Sequence, residues 1–210
     1  MKKKLIIFDF DGVLADTFDT FYLLLRDAMR SVDISLTPDQ YRNFFVGNVH
    51  QSFIDFIGND TKYKMAMEFR NSNYTKYYDD KHHKAKLFPG AINFLKEISK
   101  NYILTIASSG REDNIKNLLE ENGILNLFDT ILANSATSKE GILHEMLAKF
   151  KFEPEKTIMI TDTVGDIKVA KKMGLKTIAV AWGFHSLELL RTAEPDYIAK
   201  NFKELQYLLK

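Results

Sequence analysis

Residues 5–16, LIIFDFDGVLAD, constrain this chain more than any other stretch. Leu5, Ile6, Ile7 and Phe8 form an unbroken apolar run closed by a glycine turn signal, the pattern of a strand buried on both faces of a parallel sheet. Asp9 and Asp11 follow where that strand should end. Side chains two apart on an extended backbone point the same way, so two carboxylates are expected at one small volume. Two anions so placed need a proton or a cation between them, which marks a reaction site and not a packing motif. Gly12 supplies the tight turn that would keep the pair exposed at the strand tip.

After Asp16 the apolar period changes. Phe18, Phe21, Tyr22, Leu25, Ala28, Met29 and Val32 recur at helical steps, with Asp16 or Thr17 as a candidate cap. Further helices are expected over 37–46, where Thr37-Pro38 is an opening signal, over 51–57 and over 60–78, the last with Tyr63, Met67, Phe69 and Tyr74 facing inward. No strand is expected between Asp16 and Lys86. From Phe88 on, strands alternate with helices. Strands are expected over 102–107, 130–133, 156–161 and 176–181 and near Tyr197; a Thr137-x-x-Glu140 capping box opens the helix after the second of them. This alternation predicts an α/β fold, a Rossmann-like parallel sheet core with helices on both faces, built from residues 1–15 and 87–210, with an inserted all-helical domain over 16–86. With 45% hydrophobic residues among 210, the chain can bury such a core.

Several function classes drop out. Lys plus Arg (29) nearly balance Asp plus Glu (28), which gives no footprint for nucleic acid or a membrane surface. The absence of cysteine removes thiol nucleophiles, disulfides and Cys-ligated zinc, and it fits a reducing, cytoplasmic setting. MKKKLIIFDFD starts like a signal peptide, but Asp9 interrupts its apolar run, so no secretion signal is expected. No segment has the apolar length of a membrane span. KHHKAK, residues 81–86, reads as a solvated hinge or site rim, with a metal-binding His82-His83 pair as the alternative.

Ligands of parallel sheets bind beyond the carboxyl ends of the strands, and the remaining polar candidates all fall there. Asp162-x-x-x-Asp166 follows the strand TIMI; with Asp9 and Asp11 these acids form a hard-oxygen set without His or Cys, suited to Mg2+, although Asp166 alone would equally cap its helix. Ser108 ends another strand, and the N–H groups of Ser109, Gly110 and Arg111 are expected at a helix amino terminus, an anion site or simply a cap. Lys139 falls in a first helical turn, where the dipole disfavours a cation and a nearby anion would account for it. Together these parts describe phosphoryl transfer to a carboxylate. Mg2+ would be held by Asp9, Asp162 and a carbonyl near Asp11, and Ser108 and Lys139 would hold the phosphate. Asp9 would attack phosphorus, and Asp11 would protonate the leaving oxygen and then activate water.

DFDGVLAD, ASSG, Lys139 and DTVGD, in this order, resemble the haloacid dehalogenase-like hydrolases, and with FPG at 88–90 their phosphoglycolate-phosphatase-like branch. The resemblance implies a helical cap inserted after the first motif, Asp9 as nucleophile, Asp11 as acid and base, and Asp162 as a magnesium ligand. It makes Asp166 a ligand or a ligand's partner, and Ser108, Ser109 and Lys139 the phosphate-binding groups. Asp11 favours phosphatases or phosphomutases over dehalogenases. Thr161 departs from the family, standing where a glycine is usual. Gly47 and His50, in a segment resembling the family's cap loop, join Gly110 and Arg111 as candidates for substrate specificity. His50 stands where related β-phosphoglucomutase-type enzymes carry an arginine, which favours hydrolysis of a small phosphorylated metabolite over mutase chemistry. A non-catalytic phosphometabolite-binding protein is the third reading, against which the four intact acids count. Tyr41, Phe44 and Phe45 are either an apolar wall for substrate or ordinary core.

Overall fold

The computed structural model describes residues 4–78, 84–133 and 137–210; Lys81, His82 and His83, read above as hinge, rim or metal pair, lie outside them. The chain runs β1 (Lys4–Phe8), β2 (Ala15–Asp16), α1 (Phe18–Arg30), α2 (Pro38–Asn43), α3 (Val49–Ile57), α4 (Asp60–Tyr78), β3 (Lys86–Leu87), α5 (Ala91–Ile98), β4 (Tyr102–Ser108) and α6 (Glu112–Glu121). It continues with β5 (Thr130–Ala133), α7 (Lys139–Phe150), β6 (Thr157–Thr161), α8 (Val164–Lys172), β7 (Lys176–Val180), α9 (Leu187–Arg191), β8 (Tyr197–Ala199) and α10 (Phe202–Leu208). Two compact units result, Met1–Asp16 with Lys86–Lys210, and Thr17–Ala85.

The first unit is a six-stranded sheet in the order β5-β4-β1-β6-β7-β8, every neighbouring pair parallel. β1 is central because it can be buried on both sides. Leu5 and Ile7 join Ile142, Leu143 and Met146 of α7 and Ala170 of α8 in one core cluster. Phe8, of opposite facing, sets its ring edge-on against Phe94 of α5 (6.2 Å) and Phe128 (6.4 Å). Phe94 in turn meets Phe202 of α10, so helices cover both faces and the fold is α/β and Rossmann-like. The order reverses at β1, whose carboxyl end opens between β4 and β6.

Sequence reasoning missed one ladder. Ala15 pairs with Leu87 and Asp16 with Lys86, an antiparallel ribbon of two-residue strands too short to carry a period.

The second unit is helical among its described residues. Thr37 and Gln40 form a reciprocal capping box at α2, Asn48 caps α3, and Gly58 ends it in the left-handed conformation. The helix expected over 37–46 is α2 followed by a 3-10 turn over Phe44–Val46. Tyr41 is buried among the rings of Phe18, Tyr22, Phe44 and Phe45, and the Arg42 guanidinium lies 4.1 Å over Phe18. Tyr41 and Phe44 are therefore core of this unit. Of the four residues expected to face inward on α4, only Tyr74 is buried, together with Ala66.

Two caps differ from expectation. Thr17 occupies the N-cap of α1 without a capping hydrogen bond, and its buried hydroxyl has no partner. At α7 the cap is Ser138, whose hydroxyl accepts Gly141 N–H, one residue beyond the expected Thr137. This register makes Lys139 the first helical residue. No helix among the described residues is long and apolar enough to cross a membrane.

Because Phe8 is fully buried between aromatic rings, Phe8→Ala should cost about 3–5 kcal/mol. Urea unfolding should show a lower midpoint with an unchanged slope.

Candidate active site

Three polar side chains leave adjacent strand ends at the point of reversal: Asp9 after β1, Ser108 closing β4 and Asp162 after β6. Asp9 continues the ladder, its N–H donating to Ile160 O at 2.9 Å, and keeps the facing of Leu5 and Ile7 towards α7. There it meets Lys139. The ammonium Nζ lies 3.0 Å from Asp9 Oδ1, 2.9 Å from Asp166 Oδ2 and 2.9 Å from Ala107 O, so each of its three protons has a protein acceptor. Asp9 Oδ1 also accepts Phe10 N–H at 2.8 Å.

Asp11 takes a different partner from Asp9. Gly12, at φ +73°, turns the chain, Gly12 N–H donates to Ala15 O, and the N–H groups of Leu14 and Ala15 both donate to Phe10 O. Within this turn, just before Gly12, Asp11 Oδ2 lies 3.4 Å from Ser108 Oγ, which itself accepts Gly110 N–H at 2.9 Å. Gly110 N–H, expected as an open anion donor, is thus engaged by Ser108. Arg111 is the N-cap of α6, so Ser109, Gly110 and Arg111 precede the first helical turn instead of forming it; Ser109 and Arg111 are exposed. Gly47 and His50 belong to the helical unit, where His50 Nδ1 shares a 3.0 Å hydrogen bond with Tyr63 Oη and Gly47 ends the 3-10 turn.

Asp162 is fully buried. Its Oδ2 accepts Phe184 N–H at 2.6 Å, whereas Oδ1 has no hydrogen-bond partner. The carboxylate fits only because two glycines flank it: a Cβ would come within 2.0 Å of Oδ2 at Gly12 and 2.3 Å at Gly183. Thr161, in place of the glycine usual in the resembling family, does not crowd it, its hydroxyl lying 3.4 Å from Asp166 Oδ2. Phe184 N–H and Gly183 were not foreseen. The donor is a backbone group delivered by the turn after β7, and a side-chain pattern carries no trace of it; Gly183 after Trp182 is the only local signal.

The electrostatics follow from burial. One ammonium faces the carboxylates of Asp9 and Asp166, with Asp162 close enough to disfavour charge on Asp9. Burial pushes Asp9 well above the ordinary carboxylate range against the pull of Lys139, and Asp166 and Asp162 add to the rise. Burial likewise raises Asp162 to about 7, opposed by Phe184 N–H and reinforced by Asp166 and Asp11. Burial opposes charge on Lys139, yet Asp166 and Asp9 hold its ammonium above its ordinary pKa. The cluster is therefore short of positive charge.

A divalent cation fits that shortage. Among the described residues no three or more His, Cys, Asp or Glu side chains are grouped to hold a metal. Two carboxylates, Asp9 and Asp162, are the share that Mg2+ takes from protein when waters and a substrate phosphate complete its shell. The partnerless Asp162 Oδ1 is a hard oxygen of the right kind. Asp166, engaged by Lys139 and near Thr161, sits on the lysine's side of the cluster.

The profile of the haloacid dehalogenase-like hydrolases matches residues 6–180. The chain is 27% identical over 203 residues to a phosphoglycolate phosphatase of Synechococcus elongatus, covering 95% of this chain and 94% of that one. It is 24% identical over 210 residues to the pyrophosphatase PpaX of Oceanobacillus iheyensis, covering 98% and 96%. Among solved structures, a haloacid dehalogenase-like hydrolase of Streptococcus pneumoniae superposes with a TM-score of 0.85 at 26% identity, covering 99% of each chain.

Asp162 generates a prediction about pH. With its folded pKa about 7 against 3.8 for an ordinary aspartate, the protonated acid favours the fold below about pH 4, and that contribution is lost as pH rises through about 7. In chelator, Asp162→Asn should match the wild type near pH 4 and melt several degrees higher at pH 8. Thermal unfolding across that range measures the difference.

Proposed function

We propose that this chain, which belongs to the haloacid dehalogenase-like hydrolase family, is a magnesium-dependent phosphatase that hydrolyses a small phosphorylated metabolite through an aspartyl-phosphate on Asp9. The observation that carries this reading is the buried Lys139 ammonium bridging Asp9 and Asp166 beside the partnerless Asp162 oxygen. With a divalent cation beside the Lys139 ammonium, such a site would carry the positive charge that complements a phosphate ester.

Asp9 Oδ1 is held by Phe10 N–H and Lys139, which reserves Oδ2 for in-line attack on phosphorus. As that bond forms, the ester P–O bond breaks and Asp11 gives its proton to the leaving oxygen. Asp11 then takes a proton from the water that attacks the aspartyl-phosphate, releasing phosphate and restoring Asp9. The Ser108 hydroxyl, 3.4 Å from Asp11 Oδ2, donates to a phosphate oxygen, while Gly110 N–H holds its Oγ in place. Lys139 keeps Asp9 aligned and lends charge to the transferring group. Asp9 and Asp162 would hold Mg2+, which would supply electrostatic stabilisation of the charge that develops on the phosphoryl oxygens. The relatives named phosphoglycolate phosphatase and pyrophosphatase support a small, strongly anionic substrate. We read the helical unit, expected over 16–86 and found as Thr17–Ala85, as the family's cap; every residue given a role in the bond-breaking step belongs to the other unit.

A screen of phosphate esters with Mg2+ tests the proposal. Turnover should fall to background in chelator and return with Mg2+, and Asp9→Asn should lose roughly a thousandfold or more in kcat. Wild-type turnover no greater than that of Asp9→Asn would refute it.

A further inference from the structure

The turn after β7 contains a buried imidazole that the reaction above does not use. His185 is 1% exposed, and its Nδ1 accepts Val164 N–H at 3.0 Å, which places the ring proton on Nε2. Val164 is the first residue of α8, where an N–H has no acceptor within its own helix, and it is buried away from water. His185 supplies the acceptor that α8 lacks. The three preceding residues grip the neighbouring chain. Phe184 N–H donates to Asp162 Oδ2 at 2.6 Å, Gly183 abuts the Asp162 side chain and Gly12 O, and Trp182 Nε1 donates to Val13 O at 3.1 Å. Four consecutive residues thus tie the turn after β1, the Asp162 carboxylate and the start of α8 to one another.

We propose that His185 is a positioning residue for the metal site: by accepting the Val164 amide it anchors the turn whose Phe184 amide engages Asp162 Oδ2, leaving Oδ1 as the single oxygen available to a cation. This rests on the assignment of Asp162 as a magnesium ligand. One engaged and one available oxygen restrict the carboxylate to monodentate binding, which suits the octahedral demand of Mg2+. Groups that orient a ligand in this way typically govern metal affinity by about ten- to a hundredfold.

The test is a titration of the substrate-free protein with MgCl2, followed by Tm and by calorimetry, in the wild type, His185→Leu and His185→Asn. Leucine removes the acceptor, whereas the Asn side-chain oxygen reaches the position of Nδ1. The leucine variant should need about ten- to a hundredfold more Mg2+ for half-saturation, and the asparagine variant should return close to the wild type. With p-nitrophenyl phosphate the half-activating Mg2+ concentration should rise in parallel while KM for the ester stays nearly constant. A residue that only stabilised the fold would lower Tm without moving the Mg2+ midpoint. If the leucine variant does not fold, His185→Gln, whose amide lies near Nε2, tests the same lost acceptor. A leucine or glutamine variant with the wild-type midpoint, or an asparagine variant as weak as leucine, overturns the positioning role alone. A wild type indifferent to Mg2+ in both measurements overturns it together with the metal assignment.

Discussion

A single buried ammonium ties the end of β1 to the starts of α7 and α8. Lys139 has three protons, and Asp9, Asp166 and the Ala107 carbonyl of β4 take one each. Remove it, and the buried Asp9 and the half-buried Asp166 lose the one ammonium they share, a larger penalty than losing a surface ion pair. Keep it, and Asp162 still stands close by with an oxygen that nothing satisfies. The cluster is stable enough to fold and yet short of positive charge, which is the condition in which a divalent cation gains most from arriving, and a phosphate gains only with it.

The sheet delivers these groups to one place by parity and order. Alternation along β1 sends Leu5 and Ile7 into the α7 and α8 core, and Asp9, next in that series, reaches Lys139 at the rim of the same face. The order β4-β1-β6 sets Ser108 and Asp162 on the two flanks. Hydrophobic packing therefore aims the polar groups. The Leu5 and Ile7 side chains that bury the strand also determine which way its terminal carboxylate points.

Legibility in the sequence followed the strength of local patterning. β1, β4, β5, β6 and β7 are short apolar runs between turn signals, and α1 repeats its apolar residues at helical spacing, so the α/β class could be read directly, whereas α4 carries almost no period. Elements defined by pairing were invisible: β2 and β3 are two residues each and exist only because Ala15 and Leu87 meet. Thr137 and Ser138 offer equivalent hydroxyls, and only the register of α7 selects the second. At the site, Asp9, Asp11, Asp162 and Lys139 announce themselves as charged residues at strand or helix ends. Phe184 and His185 do not, since one contributes a backbone amide and the other an acceptor for an amide 21 residues earlier. Partners chosen by chain crossing leave no periodic mark.

The short ribbon of β2 and β3 has a consequence for how such a molecule can diversify. Asp16 and Lys86 are cross-strand neighbours, so the polypeptide departs from the sheet unit and returns to it about 5 Å apart. Whatever is spliced between them has its ends already brought together, and its length adds little closure entropy to the host. Accessory modules of different size can therefore be exchanged at that seam as cassettes, while the catalytic scaffold keeps its register.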